Sequence, residues 1–228
     1  MATGWEDYWW VVEVVTHVGF LVNLGTAIYI NRIEVAISLI FMIGASIHYH
    51  VCLGTEVCLG TLAHAASTDW FGSGLVSVSL SMQFWAFPPA IGTSILIYYT
   101  GLMALLYPVL PDATWAAVVL MSVLIMATLA RSYAFRVPEP YPGGWWSYVG
   151  VASSIAAFAL FIFPRSPKGS LYNGPHSLWH LLAAFVVEII LIILSQLKIQ
   201  ITSTGLVITR YHPSKTPSPF ADDYPYNL

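Results

Sequence analysis

Seven apolar stretches, each close to the length of a membrane-crossing helix, constrain this sequence more than any other feature. About 20 helical residues span the hydrocarbon core of a bilayer, and short polar or Pro/Gly-rich segments separate the stretches. Only 8% of the 228 residues are charged, too few to cover a soluble surface. We therefore predict an all-α integral membrane protein, a seven-transmembrane helix bundle over residues 1–197. The predicted spans are Trp10–Ile30, Val35–Leu53, Asp69–Phe87, Ile91–Leu110, Trp115–Arg131, Trp146–Phe163 and Ser177–Leu197.

Basic residues are distributed unevenly between the two alternating sets of loops. One set carries six of the eight lysines and arginines, and the other carries two. Because basic loops are retained in the cytoplasm, we predict an extracytoplasmic N-terminus and a cytoplasmic C-terminus. The protein would be multi-pass, in the plasma membrane or an endomembrane. The six are Arg32, Arg131, Arg136, Lys198, Arg210 and Lys215, and the two are Arg165 and Lys168.

The overall charge excludes one class of partner. The net charge is -3 and the sequence has no run of basic residues, so it lacks the counterion release that drives nucleic-acid binding. We expect membrane lipids as partners and no nucleic acid.

Both ends of the chain lie outside the predicted spans. The first residues, MATGWEDYWW, carry no positive charge, so we expect an uncleaved first span and not a signal peptide. Residues 198–228 are predicted to be a polar, Pro-rich cytoplasmic tail. Within it, the β-branched segment Ile199–Tyr211 can pair as a strand. The rest is expected to be extended or disordered unless a membrane protein partner orders it.

Polar residues placed in predicted spans are candidates for function, because a membrane interior penalises ionisable groups. Ser46 and His50 are four residues apart, which puts them on one face of a helix. His176 and His180 repeat this spacing on the seventh span. Asp69 begins the third predicted span, at the same side of the membrane as both pairs.

The predicted topology brings these residues into one leaflet. The second span ends on the outer side at His50, and the third and seventh spans begin on that side. Three imidazoles and a carboxylate at one depth resemble a zinc site, in which three protein ligands leave a fourth position for water. The sequence therefore predicts Zn²⁺ as the cofactor.

The motifs around these residues resemble a known group of membrane enzymes. The segment SIHYHVC, Ser46–Cys52, is similar to the S-x-x-x-H motif of the CREST superfamily of seven-span membrane hydrolases. DWFGSG and HSLWH resemble more narrowly the transmembrane protein 8/myomaker family, and the resemblance covers roughly Glu34–Leu182. The implied zinc ligands are His50, His176 and His180, and the implied polar partners beside the metal are Ser46 and Asp69.

Two functions are compatible with this ligand set. In the first, the protein is a zinc-dependent intramembrane hydrolase of an amide or ester bond in a membrane lipid or lipid anchor. Asp69 would be the general base, and Ser46 would donate a hydrogen bond to the developing oxyanion. In the second, the zinc is structural and ties three spans together. The protein would then act in membrane fusion or as a subunit of a larger membrane assembly.

The other ionisable residues within the predicted spans are not interpreted as metal ligands. Glu13 and His17 are four residues apart in the first span, where a hydrogen bond joining helices is favoured over a proton-linked pair. His48 lies on nearly the opposite helix face from its neighbouring predicted ligand, so we assign it to the headgroup region. Glu188 lies too far along the seventh span to be a ligand.

The loop after the second span and the third span carry further structural candidates. Cys52 and Cys58 lie on the predicted outer side, where either a disulfide or two free thiols is compatible with their spacing. The small residues of the third span are predicted to allow close helix packing. They are Gly72, Ser73, Gly74, Ser77 and Ser81.

Overall fold

The computed structural model describes residues 9–84, 89–106, 144–162, 170–195, 197–202 and 205–210. It divides into two compact units, Met1–Leu194 and Ser195–Leu228. In the described ranges, the first unit is helical and the second forms a β-hairpin. The predicted fifth span, Trp115–Arg131, lies outside the described residues.

Seven helices account for the described part of the first unit. In chain order they are α1 (Trp9–Thr16), α2 (Val18–Tyr29), α3 (Ile33–Thr55), α4 (Leu62–Phe84), α5 (Pro89–Leu106), α6 (Gly144–Ile162) and α7 (Ser170–Ser195).

Three helical stretches are long and apolar enough to cross a membrane, which supports the predicted membrane location. They are Trp9–Tyr29, Ile33–Thr55 and Gly174–Ser195, and they correspond to the first, second and seventh predicted spans. Large apolar side chains such as Val15, Val22 and Ile37 are about 60% exposed on these helices, while several polar side chains are buried. This pattern suits a lipid environment, in which the exterior is apolar.

The first span is broken at His17, between α1 and α2. The carbonyl oxygen of Glu13, which a regular helix would bond to the N–H of His17, instead accepts the Thr16 hydroxyl at 2.6 Å and His17 Nδ1 at 2.7 Å. The N–H of His17 donates to the carbonyl of Val14, three residues back. Side chains that take over a backbone acceptor interrupt or bend a helix. The break therefore follows from the local sequence.

Helices α3 and α4 approach each other closely along a line of small residues. A Cβ atom added to Gly72 would lie 2.8 Å from Cα of Met42, so the two backbones are in contact there. The hydroxyls of Ser38 and Ser79 are 2.8 Å apart and join the same two helices. The predicted close-packing role of the third span is confirmed at Gly72.

A polar contact joins the first and seventh spans. Asn23 Nδ2 donates to Glu188 Oε2 at 2.8 Å, and the Thr26 hydroxyl donates to Glu188 Oε1 at 2.7 Å. Both oxygens of this carboxylate are thus used between α2 and α7. Glu188, which the sequence analysis expected not to be a ligand, joins two helices in the described part of the protein.

Two helices begin seven residues earlier than the predicted spans. Helix α4 begins at Leu62, seven residues before Asp69, because the hydroxyl of Thr61 accepts the N–H of His64 and caps the first turn. Helix α7 begins at Ser170 and contains Pro175. Hydropathy marks the part of a helix at membrane depth, and here both helices extend beyond that part. Asp69 is therefore inside α4 and not at its start.

The second unit contains an antiparallel hairpin. Strand β1 (Leu197–Thr202) pairs with β2 (Gly205–Arg210), with Leu197 opposite Arg210 and Thr202 opposite Gly205. The β-branched segment within 199–211 was predicted to pair as a strand, and the pairing is confirmed.

The contact at Gly72 gives a direct test of the helix packing. Gly72→Ala should lower the free energy of unfolding by about 1–3 kcal/mol, because the added methyl group overpacks against the backbone of Met42. Gly44→Ala is the matched control, since a Cβ there meets no described atom within 4 Å. It should stabilise α3 by up to about 1 kcal/mol. Unfolding in detergent micelles measures both variants, and equal stability of the two would contradict the close approach.

Candidate metal centre

Four buried histidines form a cluster between three of the described helical stretches, α1–α2, α3 and α7. His17, His50, His176 and His180 are each 4% exposed or less. The ring centroids of His17 and His180 are 4.4 Å apart, and those of His176 and His180 are 4.7 Å apart. His50 lies 4.9 Å from His180. We call these four residues the histidine cluster.

The three predicted zinc ligands all belong to the histidine cluster. His50, in the C-terminal part of α3, lies 5.1 Å from His176, and the i, i+4 spacing puts His176 and His180 on one face of α7. The three rings that the sequence analysis expected to meet are therefore close together in the structure. That these residues bind a metal stays a prediction.

Glu13 and His17 from the first span complete the cluster, although the sequence analysis gave them only a structural role. Oε2 of Glu13 lies 2.8 Å from Nδ1 of His50. This is an interhelical contact of the kind expected for Glu13, but it is made to a predicted ligand. The sequence carries one signal for this pair, the i, i+4 spacing that His176 and His180 also have, and this spacing does not show which residues the shared face contacts.

Two overlapping groups of side chains have the spacing of a metal site. One consists of His17, His50 and His180, and the other of Glu13, His50 and His176. In each group the ligand atoms lie within 4.8 Å of one another, and every residue is buried. His50 is common to both groups. The described residues therefore offer more ligand atoms than the three predicted histidines.

Unsatisfied polar atoms supply an independent test of whether a cation fits. Within the described part of the chain, Oε1 of Glu13, Nε2 of His17 and Nε2 of His50 are buried and have no hydrogen-bond partner. Burying such atoms without a partner costs free energy. A divalent cation bound by these acceptors would satisfy them, so the donor set fits a metal such as Zn²⁺.

Ser46 and Asp69 form a second polar pair next to the histidine cluster. Both are buried, at 3% and 6% exposure, and Asp69 accepts a hydrogen bond from the Ser46 side chain. Ser46 is one helical turn before His50 on α3. The structure thus brings the two predicted catalytic residues together, and it joins α3 to α4 at this depth.

His48 and the two cysteines lie outside the cluster. Nε2 of His48 accepts the N–H of Leu59 at 3.0 Å, in the loop after α3. This partner is consistent with the non-ligand role assigned to His48. Cys52 and Cys58, whose state the sequence left open, form a disulfide across the same loop.

Comparison with protein families finds no family model that matches this chain, and a search among curated proteins likewise finds no match. The resemblance to the CREST superfamily therefore stays an expectation based on three motifs. Any assignment of function has to come from the site itself.

Proposed function

We propose that this protein is a zinc-dependent intramembrane hydrolase that cleaves an amide or ester bond of a membrane lipid or lipid anchor. The observation that carries the proposal is the buried histidine cluster with the hydrogen-bonded Ser46 and Asp69 one helical turn away. Metal ligands, a carboxylate and a hydroxyl are the groups that metal-assisted hydrolysis uses.

The proposed zinc ligands are His50, His176 and His180. Neutral imidazole is a preferred zinc ligand, and the motif spacing places all three rings in the cluster. Zinc, when bound, supplies polarisation of the substrate carbonyl and activation of water. The remaining chemistry falls to side chains of this chain.

Asp69 and Ser46 have complementary roles in this proposal. Asp69 accepts the proton of the attacking water. Once protonated, its carboxyl group can donate a hydrogen bond to Ser46 Oγ, which frees the serine hydroxyl to donate to the oxyanion that develops on the substrate. The hydrogen bond between the two residues supports this exchange, because it holds both groups in one place before reaction.

The substrate class follows from the surroundings of the site. The exposed surfaces of the described spans are apolar, with side chains such as Ile40 more than half exposed. A molecule that reaches the cluster from the bilayer needs an apolar part of its own, as a lipid or a lipid-anchored chain has. Membrane lipids are therefore the proposed partners.

A structural zinc site is the second candidate, and one observation favours it. Glu13 and His17 add two ligand groups from the first span, so a bound ion would cross-link three spans. Such a site stabilises a fold without catalysis. The protein would then act in membrane fusion or as a subunit of a larger membrane assembly, with its cytoplasmic tail as a contact for partners.

We further propose seven spans with an extracytoplasmic N-terminus. The uneven distribution of basic residues favours this orientation. The Cys52–Cys58 disulfide supports this orientation independently, because it lies at the end of the second span predicted to be outside, and disulfides persist in oxidising compartments.

Tags at the two ends of the chain test the proposed orientation. On intact cells, or on sealed vesicles whose extracytoplasmic face is exposed, only the N-terminal tag should be accessible. An accessible C-terminal tag would overturn the proposed orientation.

Metal analysis tests the ligand assignment. The wild-type protein should purify with about one zinc per chain, and His50→Ala, His176→Ala and His180→Ala should each lose it, because removing one of three ligands severely weakens binding. His48→Ala is the matched control, since this residue lies on the same helix but contacts Leu59. Full zinc occupancy in any of the three ligand variants would contradict the assignment.

Asp69→Asn separates the two candidate functions. In a hydrolase this change keeps the shape but removes the base, so turnover of lipid substrates should fall on the order of 10²-fold or more while zinc stays bound. In a structural site the same variant would leave the fusion or assembly readout unchanged. Undiminished hydrolysis by folded, zinc-loaded Asp69→Asn protein would eliminate the general-base role.

A further inference from the structure

His17 is the member of the histidine cluster that no sequence motif assigns to the metal. It lies at the break between α1 and α2 and is 2% exposed. Its ring centroid is 4.4 Å from that of His180 and 5.6 Å from that of His50. Its position alone would also suit a packed, hydrogen-bonded histidine, so its protonation pattern decides between the two roles.

The hydrogen bond at Nδ1 fixes the tautomer of His17. A carbonyl oxygen only accepts hydrogen bonds, so Nδ1, 2.7 Å from the carbonyl of Glu13, must carry the proton. Nε2 of a neutral ring then carries a lone pair. This atom is buried and has no hydrogen-bond partner among the described residues. Metal-binding histidines commonly have this arrangement, with the other ring nitrogen donating to a carbonyl or carboxylate.

Thr16 fixes His180 in the same tautomer. The Thr16 hydroxyl donates to the Glu13 carbonyl at 2.6 Å, so its proton is used there. Its oxygen, 3.1 Å from Nδ1 of His180, must then accept, which places the proton of His180 on Nδ1. The lone pair of His180 is therefore on Nε2 as well.

His50 lies beside this pattern without a hydrogen bond that fixes its tautomer. Its Nδ1 is 2.8 Å from Oε2 of Glu13, but both of its ring nitrogens are buried and have no hydrogen-bond partner in the described ranges. Either nitrogen of the neutral ring can therefore supply the lone pair. His17 and His180 turn Nδ1 towards the turn Glu13–Thr16 and carry their lone pairs on Nε2, and His50 adds a third buried imidazole beside them.

We infer that His17 is an additional metal ligand, which binds through Nε2 together with His50 and His180. Glu13 and Thr16 are then positioning residues, which hold the rings of His17 and His180 through their Nδ1 atoms. The inference rests on the proposed metal centre but not on hydrolysis. With His176, the site would contain four imidazoles from three helical stretches, and an activated water would then be a fifth ligand, a coordination number that zinc can reach. The first predicted span would belong to the metal site directly.

X-ray absorption and metal affinity of the full chain test this inference, with Zn²⁺ and Co²⁺ as the probes. The zinc spectrum of the wild type should contain four imidazole ligands, and that of His17→Gln should contain one fewer. Glutamine keeps an N–H donor for the Glu13 carbonyl. Loss of outer-shell partners costs about 10–100-fold in affinity, so loss of a ligand should cost on the order of 10²-fold or more in chelator competition.

Thr16→Val distinguishes a ligand from a positioning residue. This variant should lower zinc affinity by about 10–100-fold but leave the Co²⁺ absorption bands in place, because the coordinating atoms are unchanged. His17→Gln should shift those bands, and His48→Gln should change neither property. If His17→Gln does not fold, added imidazole should restore the wild-type Co²⁺ bands to His17→Ala.

The outcomes separate this inference from the proposed function. Wild-type affinity and an unchanged Co²⁺ spectrum in His17→Gln, with metal lost from His50→Ala, would overturn the role of His17 and leave the proposed metal centre intact. A wild-type zinc spectrum with three or fewer imidazoles would also overturn it. Retention of metal by both His17→Gln and His50→Ala would overturn the inference and the metal centre together.

Discussion

The carbonyl oxygen of Glu13 is the acceptor on which the arrangement of the buried polar groups depends. It binds the Thr16 hydroxyl and His17 Nδ1 in place of a backbone N–H. One consequence is the break in the first span, and another is the orientation of two imidazole rings. Because Thr16 also contacts His180 and the Glu13 side chain contacts His50, a single turn of helix reaches all three spans.

The rest of the described bundle is organised around the cost of burying polar groups in an apolar solvent. Several hydroxyls bond a carbonyl oxygen of their own helix, as Ser77 and Ser154 do. Other polar groups join two helices, as in the pair Ser38 and Ser79 and the contact of Glu188 with α2. Apolar side chains cover the outside instead. The histidine cluster differs from these contacts, because several of its buried ring nitrogens and a Glu13 oxygen have no hydrogen-bond partner among the described residues.

The sequence predicted those features that depend on hydropathy and helical spacing. The first, second and seventh spans match helical stretches to within a few residues, because about 20 apolar residues define a span. The proximity of His50 to His180 followed from spacing and topology. The position of His17 in the cluster could not be predicted in this way. Spacing shows that Glu13 and His17 share a helix face, but it does not show which residues that face contacts. The early start of α4 depends on a cap at Thr61, outside the apolar stretch.

The close approach at Gly72 also determines from which side a substrate can reach the polar pair. Gly72 is almost one turn beyond Asp69, and Met42 is one turn from Ser46 on the facing helix. Even a methyl group does not fit between the two backbones there without displacing them. A hydrocarbon chain is wider than a methyl group, so the seam between α3 and α4 is closed to lipid at this depth. An acyl chain that reaches Ser46 and Asp69 has to pass around these helices and not between them.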